Sequence, residues 1–325
     1  MRLLYKLTAL FVVVTSIQFF VGRSLVKKDD EAHRAASFVT ARITDRDVVL
    51  FGDSILNSIS KNDKDRKTIP VLLGERIPNK IQLVQHGGFD ATVYVRYVNY
   101  LVENNLRPRA LVIPINLRSF SPQWDLNPSY EFVKTPFILN HRTLGPSYFV
   151  PVSIYTQLFR STRTEAWLNT PVYDAGIPAG TVRNYQGDRF KTVDAGTTRK
   201  KITYQYRYRL TEADRRLAKI AEIIELCRRS RIPVLFYLTP VDVEFCDAAY
   251  PGTRAIVREN ARLVTAFISS RNGEVADLSE ALPSKFFGWK DDLYPNEHLN
   301  DQGRVFLADF LARKLAALSA GGASR

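Results

Sequence analysis

Short unbroken apolar runs alternate along the chain with longer stretches in which apolar residues recur every three or four positions. Val48-Val49-Leu50-Phe51 is the first run, ended by Gly52-Asp53-Ser54. Ile81 to Gln85 follows, closed by Gly87-Gly88, and Ala110 to Ile115 is the third. Pro233 to Leu238 and the short Glu274 to Leu278 complete the set. Runs without polar alternation suit strands covered on both faces. Between them, Asp90 to Asn104 reads as helix. Thr211-Glu212-Ala213-Asp214 has the form of a capping box, and Leu210, Ala213, Leu217, Ile220, Ile224 and Cys227 follow at helical spacing. Val257, Ala261, Val264 and Ile268 mark a further helix. Asn300 or Asp301 caps the last one, whose stripe is Leu307, Phe310, Leu311, Leu315 and Leu318. Strands alternating with helices predict an α/β fold with a doubly wound, flavodoxin-like parallel sheet of five strands.

The rhythm fails between Leu117 and Arg209. That stretch holds seven prolines, from Pro122 to Pro178, many aromatics and only fragmentary periodicity. A structureless loop of that length does not fit a compact domain, so residues 117–209 are expected to be an inserted subdomain or lid after the third strand. Near its end, Tyr204, Tyr206 and Tyr208 alternate with Gln205, Arg207 and Arg209, the pattern of a strand with an aromatic face.

Composition narrows the class. Of 325 residues, 45% are hydrophobic and 24% charged, which excludes a disordered chain, a collagen-like repeat and a polytopic membrane protein. The formal charge is +13, and Arg183 to Arg216 alone carries ten Lys/Arg against four Asp/Glu. Such a patch suits an acidic glycan, anionic lipid or nucleic acid, or is simply a solvated basic face.

Leu7 to Gly22 is an uncharged, mostly apolar run of sixteen residues, with Arg2 and Lys6 before it and Arg23, Lys27 and Lys28 after. At 1.5 Å per residue it makes about 24 Å of helix, slightly short of a hydrocarbon core unless its flanks snorkel. With no Ala-x-Ala site following, the expectation is an uncleaved signal anchor rather than a cleaved signal peptide. Residues 1–28 are then anchor and flank, a charged connector runs from Lys27 to Arg34, and residues 29–325 form the α/β domain. The expected location is a bacterial inner membrane, with lipid contact through residues 7–22 and the domain in the periplasm or exterior. Export argues against a nucleic-acid partner. It would permit a disulfide, but Cys227 and Cys246 lie at opposite ends of the fourth strand. Six strand residues span about 20 Å, whereas bridged Cα atoms lie within about 7 Å, so both read as buried thiols.

The candidate chemistry gathers at the strand ends. Ser54 follows a buried strand and precedes a stretch able to start a helix, where backbone N–H groups can stabilise an oxyanion. Serine needs a base to take its proton. Of the four histidines, His33 is in the connector and His141 in the insertion, and His86 follows the second strand. His298 stands after the fifth strand and before the final helix, at the same carboxyl edge of the sheet as Ser54.

These blocks resemble the SGNH, or GDSL-like, hydrolase superfamily. Gly52-Asp53-Ser54 matches the block carrying the nucleophile. Gly88, in Val84-Gln-His-Gly-Gly-Phe-Asp-Ala91, matches the block whose glycine N–H serves the oxyanion hole. Asn116, in Ile113-Pro-Ile-Asn-Leu-Arg-Ser-Phe120, sits where the oxyanion asparagine belongs, and His298 matches the base. Leu117 follows Asn116 where the family usually has an aspartate, and the glycine of that block is missing. Asn296 and Pro295 occupy the positions that usually hold the acid. Asp292 is the substitute considered first, with Asp291, Asp242 or a plain Ser54–His298 dyad as alternatives.

The resemblance implies a serine-dependent esterase or O-acyltransferase acting on acyl groups, acetyl foremost, of an envelope carbohydrate. It also implies an oxyanion hole from Ser54, Gly88 and Asn116, no metal or organic cofactor, and a membrane acyltransferase as a candidate partner. Arg118, Tyr206 and Arg207 are the candidate substrate contacts. The rival reading is a catalytically inactive glycan-binding or assembly protein that keeps the fold.

Overall fold

The computed structural model describes residues 3–13, 16, 30–60, 63–121, 124, 132, 134–140, 181–186, 189–288 and 297–322. Five parallel strands form the main sheet: β1 (Val48–Gly52), β2 (Ile81–Gln85), β3 (Ala110–Ile115), β6 (Val234–Leu238) and β7 (Glu274–Asp277), in the order β2-β1-β3-β6-β7. This is the expected doubly wound α/β sheet. An antiparallel hairpin of β4 (Thr181–Gln186) and β5 (Arg189–Asp194) lies in the inserted stretch. Every residue of β1 and β3 is buried, as unbroken apolar strands at the centre of a doubly covered sheet should be.

The strands alternate their side chains between two cores. Val49, Phe51, Leu111, Ile113 and Phe236 meet α3 (Ala91–Glu103), α6 (Arg215–Ser230) and α8 (Thr253–Ser269) on one face. Val48, Leu50, Val112, Leu235 and Tyr237 meet α2 (Ile69–Gly74) and α9 (Asp301–Gly322) on the other. From β1 the chain crosses to β2 on one side, and β3 returns on the other side of β1. The carboxyl ends of β1 and β3 therefore flank the point where the winding reverses, the place such sheets leave a crevice.

Three expectations are corrected. The connector is in its second half a helix, α1 (Asp30–Thr40), which carries His33 and packs Ala32 and Ala35 against Ile138 of α4 (Lys134–Asn140). Glu31 Oε1 accepts the Thr135 N–H at 2.7 Å, so this charge caps a neighbouring helix rather than facing water. The aromatic strand around Tyr204 is instead the end of helix α5 (Ala195–Tyr206). Its alternating pattern arises because Tyr206 and Tyr208 each bury separately against the core, neither of them in a strand. Thr211 does not cap α6: Asp214 does, accepting the Arg216 N–H at 2.7 Å, and Thr211 lies in the turn before it.

Residues 3–13 are helical and exposed, and only part of the Leu7–Gly22 run falls within the described residues. Among those, no helix is long and apolar enough to cross a membrane. Cys227 and Cys246 are both free and buried, as expected, and burial pushes the Cys227 thiol up to about 12. The last helix is capped by Asn300, whose Oδ1 accepts the Gly303 N–H at 3.0 Å.

Candidate active site

β1 runs into a tight 3₁₀ turn, Ser54–Leu56, and two local features set it. Gly52 is needed because Leu56 folds back onto it, and a Cβ there would collide with the leucine side chain. Asp53 caps the turn, its Oδ1 accepting the Ile55 N–H at 2.8 Å. Ser54 is thereby carried out past the end of a buried strand.

The turn after β2 comes alongside. A Cβ on Gly87 would stand 4.0 Å from the Ser54 Cβ, and Gly88 has φ +89°, a left-handed backbone that glycine adopts without strain. After β3, Asn116 caps a second 3₁₀ turn, Leu117–Phe120, by accepting the Arg118 N–H at 3.0 Å. The Asn116 amide donates to Asp53 Oδ2 at 2.7 Å and approaches Glu297 Oε1 at 3.4 Å.

His298 reaches this edge from far along the chain. Its Nε2 lies 3.0 Å from Ser54 Oγ. The backbone around it is strapped antiparallel to the segment before it. Gly288 N–H donates to the His298 carbonyl at 2.8 Å, Asn300 N–H donates to the Phe286 carbonyl at 3.0 Å, and Phe287 bridges Leu299. Gly303, at the start of α9, has no room for a Cβ against the Phe286 carbonyl, which lets the helix begin close to the strap.

Beneath the serine and histidine lies a buried charged group that the sequence reading passed over. Glu297 is 2% exposed. Its Oε1 pairs with Arg118 Nη1 at 2.7 Å, and its Oε2 accepts the Tyr206 hydroxyl at 3.0 Å. Burial alone would raise its pKa. The Arg118 guanidinium, His298 and the Tyr206 and Asn116 hydrogen bonds outweigh that and hold the carboxyl below its ordinary value. Asp53 moves the other way: burial and the Glu297 charge push it up, against the hydrogen bonds from Asn116 and Ile55. Two neighbouring buried carboxyls are thus driven apart in proton affinity.

The remaining candidates fall as follows. Asp292 and Asn296 lie outside the described residues, as do Asp291 and His141. Asp242 caps α7 (Val243–Ala249), accepting from Phe245 N–H at 3.1 Å and from the Ser284 hydroxyl. Burial raises its carboxyl to about 6. His86 sets its Nδ1 2.8 Å from the Gly87 carbonyl and its ring against Phe89 and Phe132. The three proposed substrate contacts all serve the protein's own structure. Arg118 and Tyr206 hold Glu297, and Arg118 lies over the Trp124 ring at 4.8 Å. Arg207 stacks on Tyr250 at 3.9 Å and donates to the Pro251 carbonyl at 3.1 Å.

Among solved structures that resemble the chain is a lipase/acylhydrolase from Enterococcus faecalis. It is 13% identical, the match covering 83% of this chain and 95% of that one, with a TM-score of 0.39. A catalytic mutant of an acetylxylan esterase from Geobacillus stearothermophilus is 13% identical over 84% and 95% of the chains, with a TM-score of 0.41. The native aryl esterase of M. smegmatis is 10% identical over 84% and 99%, with a TM-score of 0.39. No protein-family model matches the chain, and no curated protein matches it. At such identities a likeness concerns the fold, and chemistry has to be argued from the side chains of this chain.

Proposed function

We propose that the chain is a serine ester hydrolase or O-acyltransferase of the SGNH kind. The observation that carries this reading is the 3.0 Å contact between His298 Nε2 and Ser54 Oγ at the winding reversal of the sheet. A hydroxyl and an imidazole at that distance are within reach of direct proton transfer. His298 Nε2 takes the hydroxyl proton as Ser54 Oγ attacks the ester carbonyl carbon. Negative charge then gathers on the carbonyl oxygen, and the Ser54 and Gly88 N–H groups are the donors offered to it. The Asn116 amide, whose two N–H groups point to Asp53 and Glu297, joins them only by giving up the long 3.4 Å contact to Glu297. The Gly88 N–H donates to no acceptor among the described residues, which supports its assignment. The tetrahedral adduct collapses, the alcohol leaves with the proton from Nε2, and an acyl-serine remains. Water or a second hydroxyl, deprotonated by His298, then takes the acyl group.

The finer reading is an acetyl ester of an envelope carbohydrate, handled by a domain tethered through residues 7–22. The apolar, basically flanked start of the chain and its +13 charge support it. The test is hydrolysis of a small activated acetate ester and labelling by a serine-directed phosphonate. Both are expected of the wild type and neither of Ser54→Ala. A folded wild type that does neither is a glycan-binding or assembly protein, and the enzymatic reading fails.

A further inference from the structure

Glu297 joins segments that reach the site from distant parts of the chain. Tyr206 closes α5, at the end of the insertion, 91 residues before Glu297. Arg118 and Asn116 belong to the turn after β3. Glu297 itself precedes His298 directly in sequence. A carboxylate that is 2% exposed and accepts from a guanidinium, a phenol and an amide has its oxygens spoken for on several sides. The same insertion end is fixed twice more. The Tyr208 hydroxyl donates to the Leu117 carbonyl, and Asn260 bonds the backbone on both sides, to the Tyr208 carbonyl at 2.9 Å and the Leu210 N–H at 2.9 Å. The end of the insertion and the turn bearing Asn116 are therefore pinned to each other as well as to Glu297.

Resting on the serine-esterase reading above, we propose that Glu297 is a positioning residue. It clamps the end of the insertion and the turn after β3 to the histidine segment, and so sets His298 Nε2 against Ser54 Oγ. Glu297 does not touch the reacting atoms. It acts through the backbone it shares with His298 and through Asn116, which links it to Asp53 on the serine's own turn. The insertion is then part of the catalytic geometry rather than a cover laid over it.

The test uses the full chain with Glu297→Gln, Glu297→Asp and Tyr206→Phe, beside wild type and Ser54→Ala. Turnover is normalised to phosphonate-labelled sites, so that misfolded protein is not counted. Glu297→Gln is expected to lower kcat about 30-fold or more with KM within about threefold, because misplacement of the base slows the proton transfer without touching substrate binding. Glu297→Asp should recover part of that loss, and Tyr206→Phe, which removes one donor only, should cost about three- to tenfold in kcat. Wild-type kcat per labelled site in both Glu297→Gln and Tyr206→Phe overturns the clamp. A rise in KM at constant kcat overturns it too. A wild type that neither turns over nor labels at Ser54 refutes the enzymatic reading, and the clamp is then read by hydrogen exchange. Glu297→Gln should speed exchange at residues 116–120 and 297–300 and spare β1 and β3. Unchanged exchange there refutes the clamp on its own.

Discussion

The Asn116 amide donates to the Asp53 carboxyl at 2.7 Å, tying the residue before Ser54 to the turn after β3. Asp53 spends its other oxygen on the cap of the serine's turn. Replacing Asp53 with Ala removes the cap and the Asn116 partner together. The expected cost is about 1–3 kcal/mol of stability, with kcat falling at least about tenfold. Urea unfolding and ester turnover check it; a stable variant of unchanged kcat would refute the assignment.

Ser54 and His298 should behave as one unit. Ser54→Ala, His298→Ala and the double variant are expected to lose similar amounts of kcat/KM, each by orders of magnitude, rather than multiplying. Losses that multiply would mean the two side chains act separately. The same series should include Asp292→Asn and Asn296→Asp. A large loss in Asp292→Asn makes Asp292 the orienting acid, and equal or higher activity in Asn296→Asp puts only orientation at that position.

Asp242 gives a pH dependence that has nothing to do with turnover. Burial raises its carboxyl from 3.8 to about 6, so the folded chain binds that proton more tightly than the unfolded chain does. The stability this confers is complete below the unfolded value and is lost as pH rises through about 6. At 1.36 kcal/mol per unit, the loss is about 3 kcal/mol. The unfolding free energy of the wild type should therefore fall relative to that of Asp242→Asn across that window. A difference that stays flat from pH 4 to pH 7, about the whole span, contradicts it.

The residue directly before α3 is paired deep in the fold. Asp90 caps α3 through the Thr92 N–H at 2.8 Å and accepts Arg216 Nε at 2.8 Å, and Arg216 is 1% exposed. Arg216→Met should destabilise by about 3–5 kcal/mol because it leaves a carboxylate buried without its partner. Adding Asp90→Asn should recover part of the loss, since Asn still caps the helix. Equal stability of the single and double variants in thermal melts would deny the coupling.

The sheet was legible because β1 and β3 are buried on both faces and therefore write themselves as unbroken apolar runs. Ser54 and His298 were legible for a related reason: Ser54 follows a strand directly, and His298 lies in the connection from the last strand to the last helix, so strand direction sets both at the carboxyl edge. Glu297 was not, because the acid was expected two or three positions before His298 rather than directly beside it. The signal was present all the same, as an acid directly beside the base. The Tyr204–Arg209 pattern misled because alternation over three pairs describes any segment whose aromatics dock one by one. Whether Arg118 and Tyr206 face substrate or a buried carboxylate depends on a partner 91 or more residues away, which no local pattern carries.

The serine and its base stand 244 residues apart in sequence, and the strap that seats the histidine ends at the last helix. During synthesis at about 5–20 residues per second, roughly 12–50 s pass between the appearance of one and of the other. Throughout that interval the nascent chain carries a serine with nothing to draw off its proton. On the proposed mechanism activity therefore begins only once the segment around His298 has been made and seated, and a truncated product that stops before residue 298 is expected to be chemically silent however well its early strands have folded.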